Sequence, residues 1–173
     1  MSGAVRPAAR PGDDEAILAV VDAAFSDDTR DAREELAIVR GTWAACAPDT
    51  LVELVVHDDG VVGHALSAPG RVDGTPSPVA GVAPVCIAPS HQGGGLGTLP
   101  MREMIRHAQA RGWPLLVLLG EPAFYGRVGF EAAGARGLWY APAGRDSPHF
   151  LARPLGDAPA TAPGRFSYCW ETE

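Results

Sequence analysis

The segment PVCIAPSHQGGGLGT, residues 84–98, contains four glycines within the five residues 93–97. They stand between an apolar run and a segment with helical spacing. Glycines in such a place let backbone N–H groups close around an anion, because no Cβ keeps the anion away from the backbone. The positive end of a following helix dipole adds to the attraction. The segment therefore predicts a site for phosphate groups.

Three designs of phosphate-binding loop differ in the residues they require. A P-loop needs GxxxxGK[ST], and the chain contains no lysine. A dinucleotide fingerprint needs GxGxxG, but Thr98 and Pro100 stand where the third glycine is required. The third pattern, [QR]xxGx[GA] between a strand and a helix, runs from Gln92 to Gly97. Backbone amides alone hold a pyrophosphate there. The structural alternative is a glycine-rich turn that holds no ligand.

The elements around this loop follow from apolar spacing. A strand is predicted over Val79–Ile87, and Pro84 within it indicates a bulge or an edge, since proline removes a ladder hydrogen bond. The continuous apolar run 114–119 is typical of a strand buried on both faces, and a short helix is predicted around Ala123–Val128. The helix between loop and strand has one apolar face, formed by Met101, Met104, Ile105 and Ala108.

The remaining segments complete a layered pattern. Asp13 or Asp14 is predicted to cap the first helix, Asp58-Asp59-Gly60 is a hairpin signal, and residues 69–78 are predicted to be a loop. The other predicted elements are strands over Ala4–Arg6, Leu51–His57, Val61–Ala68, His149–Leu155 and Arg165–Trp170, a helix over Arg30–Ala45, and a first helix with apolar positions Ile17, Leu18, Val20, Val21 and Phe25. The order β-α-α-β-β-β-α-β-α-β-β predicts a mixed α/β fold. Neither a repeat nor a linker is visible, so residues 1–173 are predicted to form a single domain.

Composition excludes several classes of function. The formal net charge of −7 argues against a nucleic-acid binder, and all fourteen basic residues are arginine. The sequence has no apolar run of membrane-spanning length and no signal-peptide core at its start, which predicts a cytoplasmic protein without membrane association. Three cysteines far apart, with no CxxC pair, favour reduced thiols. The five histidines lack metal-ligand spacing, so no metal is expected.

Two segments resemble the GNAT superfamily of N-acetyltransferases, which bind acetyl-coenzyme A. PVCIAPSHQGGGLG is similar to that family's fourth strand and pyrophosphate loop, and LLVLLGEPAFYGRVGF to its fifth strand and Tyr-x-x-x-Gly-Phe segment. The resemblance runs from about Val5 to Gly134, and it is weaker over the tail, residues 135–173, which resembles the closing strands of a small bacterial branch. It implies the GNAT fold, whose mixed central sheet is splayed at strands 4 and 5 with helices on both faces.

The resemblance also implies how acetyl-CoA is held. The backbone of Val85, Cys86 and Ile87 would pair with the pantetheine arm. The pyrophosphate would be held by the backbone amides of Gln92, Gly93, Gly94, Gly95, Leu96, Gly97 and Thr98. The family often has a basic residue where this loop has Gly94, so one phosphate contact is missing. Pro100 is also unusual, although proline is tolerated at a helix start.

Catalytic roles follow in part from the same resemblance. Tyr125 holds the tyrosine position of the Tyr-x-x-x-Gly-Phe segment, which implies a general acid toward the leaving thiolate; aromatic packing is the structural alternative. A phenol with an unperturbed pKa near 10 is protonated at neutral pH, as a donor must be. The Ile87 N–H is implied to stabilise the oxyanion. A general base is not assigned; the carboxylates considered are Glu121, Glu53, Asp27 and Asp28.

Cys86 as an acyl-accepting nucleophile is less favoured than a buried, inert thiol. The sequence is thus predicted to encode an acetyl-CoA-dependent N-acetyltransferase that acetylates a primary amine, of a small molecule or a protein, by direct attack. The alternative is a non-catalytic GNAT-fold module that binds or senses acyl-CoA. A homodimer is compatible with either prediction.

Overall fold

Thirteen α-helices and β-strands lie in residues 3–157 and 161–172, the part of the chain that the computed structural model describes. In chain order they are β1 (Ala4–Pro7), α1 (Asp14–Phe25), α2 (Arg33–Ala45), β2 (Val52–His57), β3 (Val61–Val72), β4 (Thr75–Ile87), α3 (Leu99–Ala110), β5 (Leu115–Leu119), α4 (Pro122–Tyr125), β6 (Glu131–Ala132), β7 (Leu138–Tyr140), β8 (Phe150–Pro154) and β9 (Gly164–Ser167). They fall into two compact units, the first containing residues 3–67 and 83–104, the second the remaining described residues. No helix of this part is long and apolar enough to cross a membrane.

The first unit contains an antiparallel ladder of β1, β2 and β3. The predicted hairpin between β2 and β3 is confirmed: Asp59 and Gly60 have φ of 54° and 124°, a combination that Asp-Gly pairs adopt in tight hairpin turns. Side chains alternate between the faces of β2, so Val55 and Val56, both 0% exposed, belong to different apolar clusters.

Helices cover both faces of this ladder. On one face α1 and α2 pack against Val55 and Cys86, and the predicted apolar stripe of α1 supplies Ile17, Val20 and Val21. On the other face Val56 packs with Val62, Ile87 and Leu96, and Leu99, the first residue of α3, is packed against that cluster. The apolar faces of α1 and α2 are buried in this packing. This burial stabilises both helices, since short helices depend on tertiary packing.

The start of α1 differs from the prediction of a side-chain cap. Asp13 is the N-cap residue, but neither its side chain nor that of Asp14 makes a capping hydrogen bond. The Asp13 carboxylate instead accepts hydrogen bonds from both terminal nitrogens of Arg6, at 2.6 and 2.9 Å, and from the Ala9 amide at 2.6 Å. A charged bidentate partner outcompetes the helix amides because charge-assisted bonds are the stronger ones.

This ion pair makes stability depend on pH. The hydrogen bonds from Arg6 lower the pKa of Asp13 from 3.8 to about 2, so the carboxylate stabilises the fold above about pH 4 and loses that effect as the pH falls through about 2. Arg6 is 41% exposed, and solvent screening limits the contribution to about 1 kcal/mol. Asp13→Asn is therefore expected to lower the free energy of unfolding by about that amount at pH 7. Urea titrations at falling pH should show this difference shrinking below pH 4; a difference independent of pH would contradict the assignment.

In the second unit β5 lies between β4 and β8. It pairs with β8 along its whole length, from Leu115 to Leu119, in antiparallel register. Its parallel ladder with β4 contains only the pairs Ala80–Leu116 and Gly81–Val117. Gly81 and Val117 are thus the last pair of this ladder. The predicted mixed α/β sheet is confirmed.

Two parts of the second unit were predicted wrongly or not at all. Residues 69–78 are not a loop: β3 continues to Val72, and Asp73-Gly74, with φ of 48° and 76°, turns the chain directly into β4. The short strands β6 and β7 were not predicted; β6 pairs with β8, and β7 pairs in parallel with β9. In the first unit, the helix α2 begins at Arg33, three residues after the predicted start.

Candidate functional site

The last residues of β4 present backbone groups on the edge that faces away from β3. The Ala88 amide donates to the Val62 carbonyl at 2.7 Å, which closes the antiparallel pairing of β4 with β3. Because amides alternate between the two edges of a strand, those of Val85 and Ile87 point away from β3. The side chains alternate as well: Cys86 packs toward α1 and α2, and Ile87 toward the opposite face. The edge predicted to bind an extended ligand is thus formed by main chain.

The glycine loop follows directly. Gly93 and Gly95 have φ of 77° and 80°, left-handed conformations that favour glycine. Within residues 3–157 and 161–172, the amides of Gly93, Gly94 and Gly95 donate no hydrogen bond. Successive unpaired amides around left-handed residues form an anion-binding concavity. The loop therefore has the donors that a phosphate group needs, although no basic side chain belongs to it.

Two contacts hold this loop in place. The Gln92 side chain donates to the Ile87 carbonyl at 3.0 Å, so this residue closes the loop back onto β4. Leu96, 7% exposed, packs against Val56, Val62 and Ile87. A 3₁₀ turn over Leu96–Thr98 then leads into α3, where Pro100 is the second residue, a position that tolerates proline. The positive end of the α3 dipole thus follows the unpaired amides.

Tyr125 belongs to the second unit, at the end of α4. A Cβ built on Gly120 would lie 2.3 Å from the Tyr125 ring, so the ring occupies the space that a side chain at Gly120 would need. Phe124 and Phe130 contact the ring edge to face, with centroids 4.9 and 5.9 Å away. These contacts hold a half-buried phenol at the end of β5. Packing and catalysis, the two roles considered from the sequence, are therefore compatible in one residue.

The end of β5 shows two features that the sequence did not reveal. Leu119 is 49% exposed, whereas the apolar run was predicted to be buried on both faces; Leu115 to Leu118 are buried as expected. His149 Nδ1 lies 3.2 Å from the Gly120 carbonyl oxygen, although the two residues are 29 positions apart. The exposed Leu119 side chain and the His149 imidazole therefore lie beside Gly120, the residue on which the Tyr125 ring packs.

The carboxylates considered as general bases mostly have structural partners. Asp27 accepts hydrogen bonds from Thr29 and from the Arg30 amide, and the bond from the Thr29 side chain lowers its pKa. Glu53, whose side chain is 6% exposed, accepts a hydrogen bond from Trp43 Nε1 at 2.9 Å and lies 2.8 Å from His64 Nε2. Glu121 is exposed and its side chain does not cap α4. Asp28, the fourth candidate, is exposed as well, so Glu121 and Asp28 are the carboxylates that these structural contacts leave available.

Cys86 is 7% exposed, and burial raises the pKa of its thiol to about 12. A nucleophilic cysteine needs a lowered pKa, because the thiolate is the reactive form. The structure therefore agrees with the buried, inert thiol predicted from the sequence. The residues that the structure describes contain no cluster of three or more metal-ligating side chains.

Comparisons with known proteins concern the family and the fold of the chain. The family model described as "Acetyltransferase (GNAT) domain" matches residues 5–133. The Escherichia coli K12 protein named uncharacterized N-acetyltransferase YhbS is 32% identical over 90 residues, 51% of this chain and 54% of the relative. The matched segment thus spans about half the length of that relative.

Two solved structures share nearly the whole fold. The crystal structure of YhbS from Escherichia coli in complex with CoA has a TM-score of 0.81 and 27% identity, covering 96% of this chain and 89% of that one. A GNAT acetyltransferase from Brucella melitensis in complex with acetyl-CoA has a TM-score of 0.78 and 29% identity, covering 96% of each chain. With a family model that extends from β1 to the end of β6, the chain belongs to the GNAT acetyltransferases.

Proposed function

We propose that the chain is an N-acetyltransferase that uses acetyl-CoA to acetylate a primary amine of a small molecule or a protein. The observation that carries this proposal is the series of main-chain donors from the end of β4 through the three unpaired glycine amides to α3. Structures with TM-scores of 0.81 and 0.78 to this chain are complexes with CoA and acetyl-CoA. Family membership supports the acetyltransferase class, and the loop supports the donor substrate.

The residues present fit this substrate. Val85, Cys86 and Ile87 would bind the pantetheine arm through backbone groups, since the Val85 and Ile87 amides point to the open edge of β4. The pyrophosphate would lie on the amides of the loop from Gln92 to Thr98. Gln92 contributes in a second way, because its side chain fixes the loop to the Ile87 carbonyl. A ligand held by backbone amides depends on loop conformation rather than on side-chain charge.

The proposed chemistry is direct attack. The deprotonated acceptor nitrogen forms a bond to the thioester carbonyl carbon, and the Ile87 N–H stabilises the oxygen that becomes negative. When the C–S bond breaks, the Tyr125 phenol donates its proton to the departing sulfur. The proton lost by the amine passes to water or to an exposed carboxylate, for which Glu121 is the candidate nearest in sequence to Tyr125. The products are the acetylated amine and the free thiol of coenzyme A.

A module that binds acyl-CoA without turnover is the second candidate. It is favoured by the structural engagement of Asp27 and Glu53, which leaves few carboxylates for proton removal. Both candidates require acyl-CoA binding, and only the enzyme consumes the ligand. The acceptor class, a cytoplasmic location and the absence of nucleic-acid and membrane partners remain predictions from the sequence.

Ligand-dependent thermal stability tests the donor substrate. At a concentration about 100 times its Kd, acetyl-CoA should stabilise the protein by about 2.7 kcal/mol, which raises Tm by roughly 5 to 10 °C for a chain of this size. ATP and NAD, which share the adenine nucleotide but suit other loops, are expected to give little shift. An unchanged Tm with saturating acetyl-CoA would overturn the proposal. Release of CoA in the presence of a panel of amines, with mass spectrometry of the products, then separates the enzyme from the binding module.

A further inference from the structure

The ring of Tyr168 lies at the end of the ladder that joins β4 and β5. Gly81 and Val117 form the last pair of their ladder, and a Cβ built on Gly81 would lie 2.4 Å from two carbons of the Tyr168 ring. The ring is therefore packed directly on the backbone of the final pair. Tyr168 follows β9 in the tail, far from both strands in the sequence.

The hydroxyl of Tyr168 accepts a hydrogen bond from the Leu119 amide. The direction of the Leu119 amide agrees with this contact. Gly120 N–H donates to the His149 carbonyl at 2.9 Å on the β8 side, and amides alternate along a strand, so Leu119 N–H points toward the opposite edge. The ladder with β4 has already ended there. Tyr168 thus supplies the acceptor that a neighbouring strand would otherwise provide.

Tyr168 is held rigidly. It is 3% exposed, its ring stacks on Trp170 at 4.2 Å, and the ring edges of Phe166 and Tyr140 contact it at 5.0 and 5.3 Å. Its own amide donates to Glu171 Oε2 at 2.6 Å. Burial raises the pKa of the phenol, so Tyr168 remains neutral through the physiological range. The acceptor for Leu119 is therefore present at every pH at which an acetyltransferase is assayed.

Leu119 is directly followed by Gly120, on which the Tyr125 ring lies. A continuous path of contacts therefore runs from Tyr168 to the Leu119 amide, then to Gly120 and the ring of Tyr125. Movement of the end of β5 would move the surface against which Tyr125 is packed. Displacements of about 1 Å in a catalytic geometry can cost about 100-fold in rate.

We propose that Tyr168 is a positioning residue for acetyl transfer: its hydroxyl fixes the end of β5 through the Leu119 amide and thereby sets the position of the Tyr125 phenol. This inference rests on the proposed function. Tyr168 acts through Leu119 and Gly120 and is not itself assigned contact with the substrate.

Tyr168→Phe tests the inference, because it removes the hydroxyl and keeps the ring. We expect kcat to fall by about 10- to 100-fold, with the KM for acetyl-CoA and the Kd for CoA unchanged. Hydrogen exchange of the Leu119 amide, followed by NMR, should accelerate at least about tenfold as its acceptor is lost. Tyr140→Phe is the matched control. It removes a phenol hydroxyl from the same aromatic cluster, one that donates to Glu171 rather than accepting from β5, and should change kcat and Leu119 exchange far less than Tyr168→Phe does.

The outcomes separate this inference from the proposed function. A wild-type protein that turns over while Tyr168→Phe retains full kcat overturns the positioning role alone, as does an unchanged Leu119 exchange rate. Equal loss of kcat in Tyr140→Phe also overturns it, because that result indicates general loosening of the cluster. If Tyr168→Phe does not fold, Gly81→Ala displaces the same ring and should give the same split between kcat and KM. A wild-type protein that binds CoA but acetylates no amine overturns the proposed function, and the positioning role falls with it.

Discussion

Replacing Tyr125 by phenylalanine is expected to lower kcat by about 100- to 1000-fold, the usual contribution of a positioned general acid. The change removes one hydroxyl and keeps the ring that packs on Gly120 and against Phe124 and Phe130. The fold and the affinity for acetyl-CoA should therefore be preserved. Without the phenol proton, the departing thiolate must be protonated by water, and the breakdown of the tetrahedral intermediate becomes slower.

Steady-state kinetics with calorimetric titration of CoA measures both quantities for Tyr125→Phe. A drop in kcat with an unchanged Kd identifies Tyr125 as the acid, because the loss is confined to the transition state. Tyr140→Phe serves as control, since it removes a phenol hydroxyl elsewhere in the second unit. If Tyr125→Phe turns over as fast as the wild type, the general-acid role is wrong. If both variants lose activity equally, loss of packing is the cause.

Gly95→Val should weaken acetyl-CoA binding by about 10- to 100-fold. Gly95 has φ of 80°, and a residue with a Cβ pays about 1 to 2 kcal/mol to remain in that region, more when it is β-branched. A built Cβ at Gly95 meets nothing within 4 Å, so the side chain causes no clash and the cost acts through the backbone. The loop should then leave the conformation that presents the amides of Gly93, Gly94 and Gly95 together.

Gly112 provides a matched control for this change. Its φ of 72° is nearly the same, a Cβ there also meets nothing within 4 Å, and it follows the end of α3 rather than the glycine loop. Gly112→Val should lower Tm as much as Gly95→Val does, while the Kd for acetyl-CoA stays at the wild-type value. A similar Kd for acetyl-CoA in the wild type, Gly95→Val and Gly112→Val would show that the loop does not hold the pyrophosphate, whatever the changes in Tm.

The regular elements were predictable where one local signal dominated. The apolar stripe of α3 and the Asp59-Gly60 turn are read correctly because spacing and turn chemistry act within a few residues. Asp73-Gly74 carries the same turn signal, but prolines and glycines around it suggested a loop, and the prediction over 69–78 was wrong. The strands β6 and β7, of two and three residues, are too short to show a period and exist only because β8 and β9 pair with them.

The features of the candidate site also separate into those set by neighbouring residues and those set by contacts between distant ones. The glycine loop is contiguous, so a glycine-dependent turn could be predicted from Gln92 to Gly97, and Gly93 and Gly95 have the left-handed conformations that such a turn needs. The partner of the Leu119 amide could not, because Tyr168 is 49 residues further along the chain and only the fold brings them together. The exposure of Leu119 was missed for a related reason, since an apolar run does not reveal where its last residue leaves the core. Long-range contacts, not residue types, account for what sequence reasoning missed.

The burial of Cys86 also determines how the protein meets oxidants. Oxidation of cysteine to sulfenic acid and beyond proceeds through the exposed thiolate, and Cys86 is neither exposed nor ionised at physiological pH. Cys46 and Cys169 are more accessible and lie on other segments, one after α2 and one after β9. Mild oxidative damage should therefore begin at those two thiols and leave the strand proposed to hold pantetheine chemically intact.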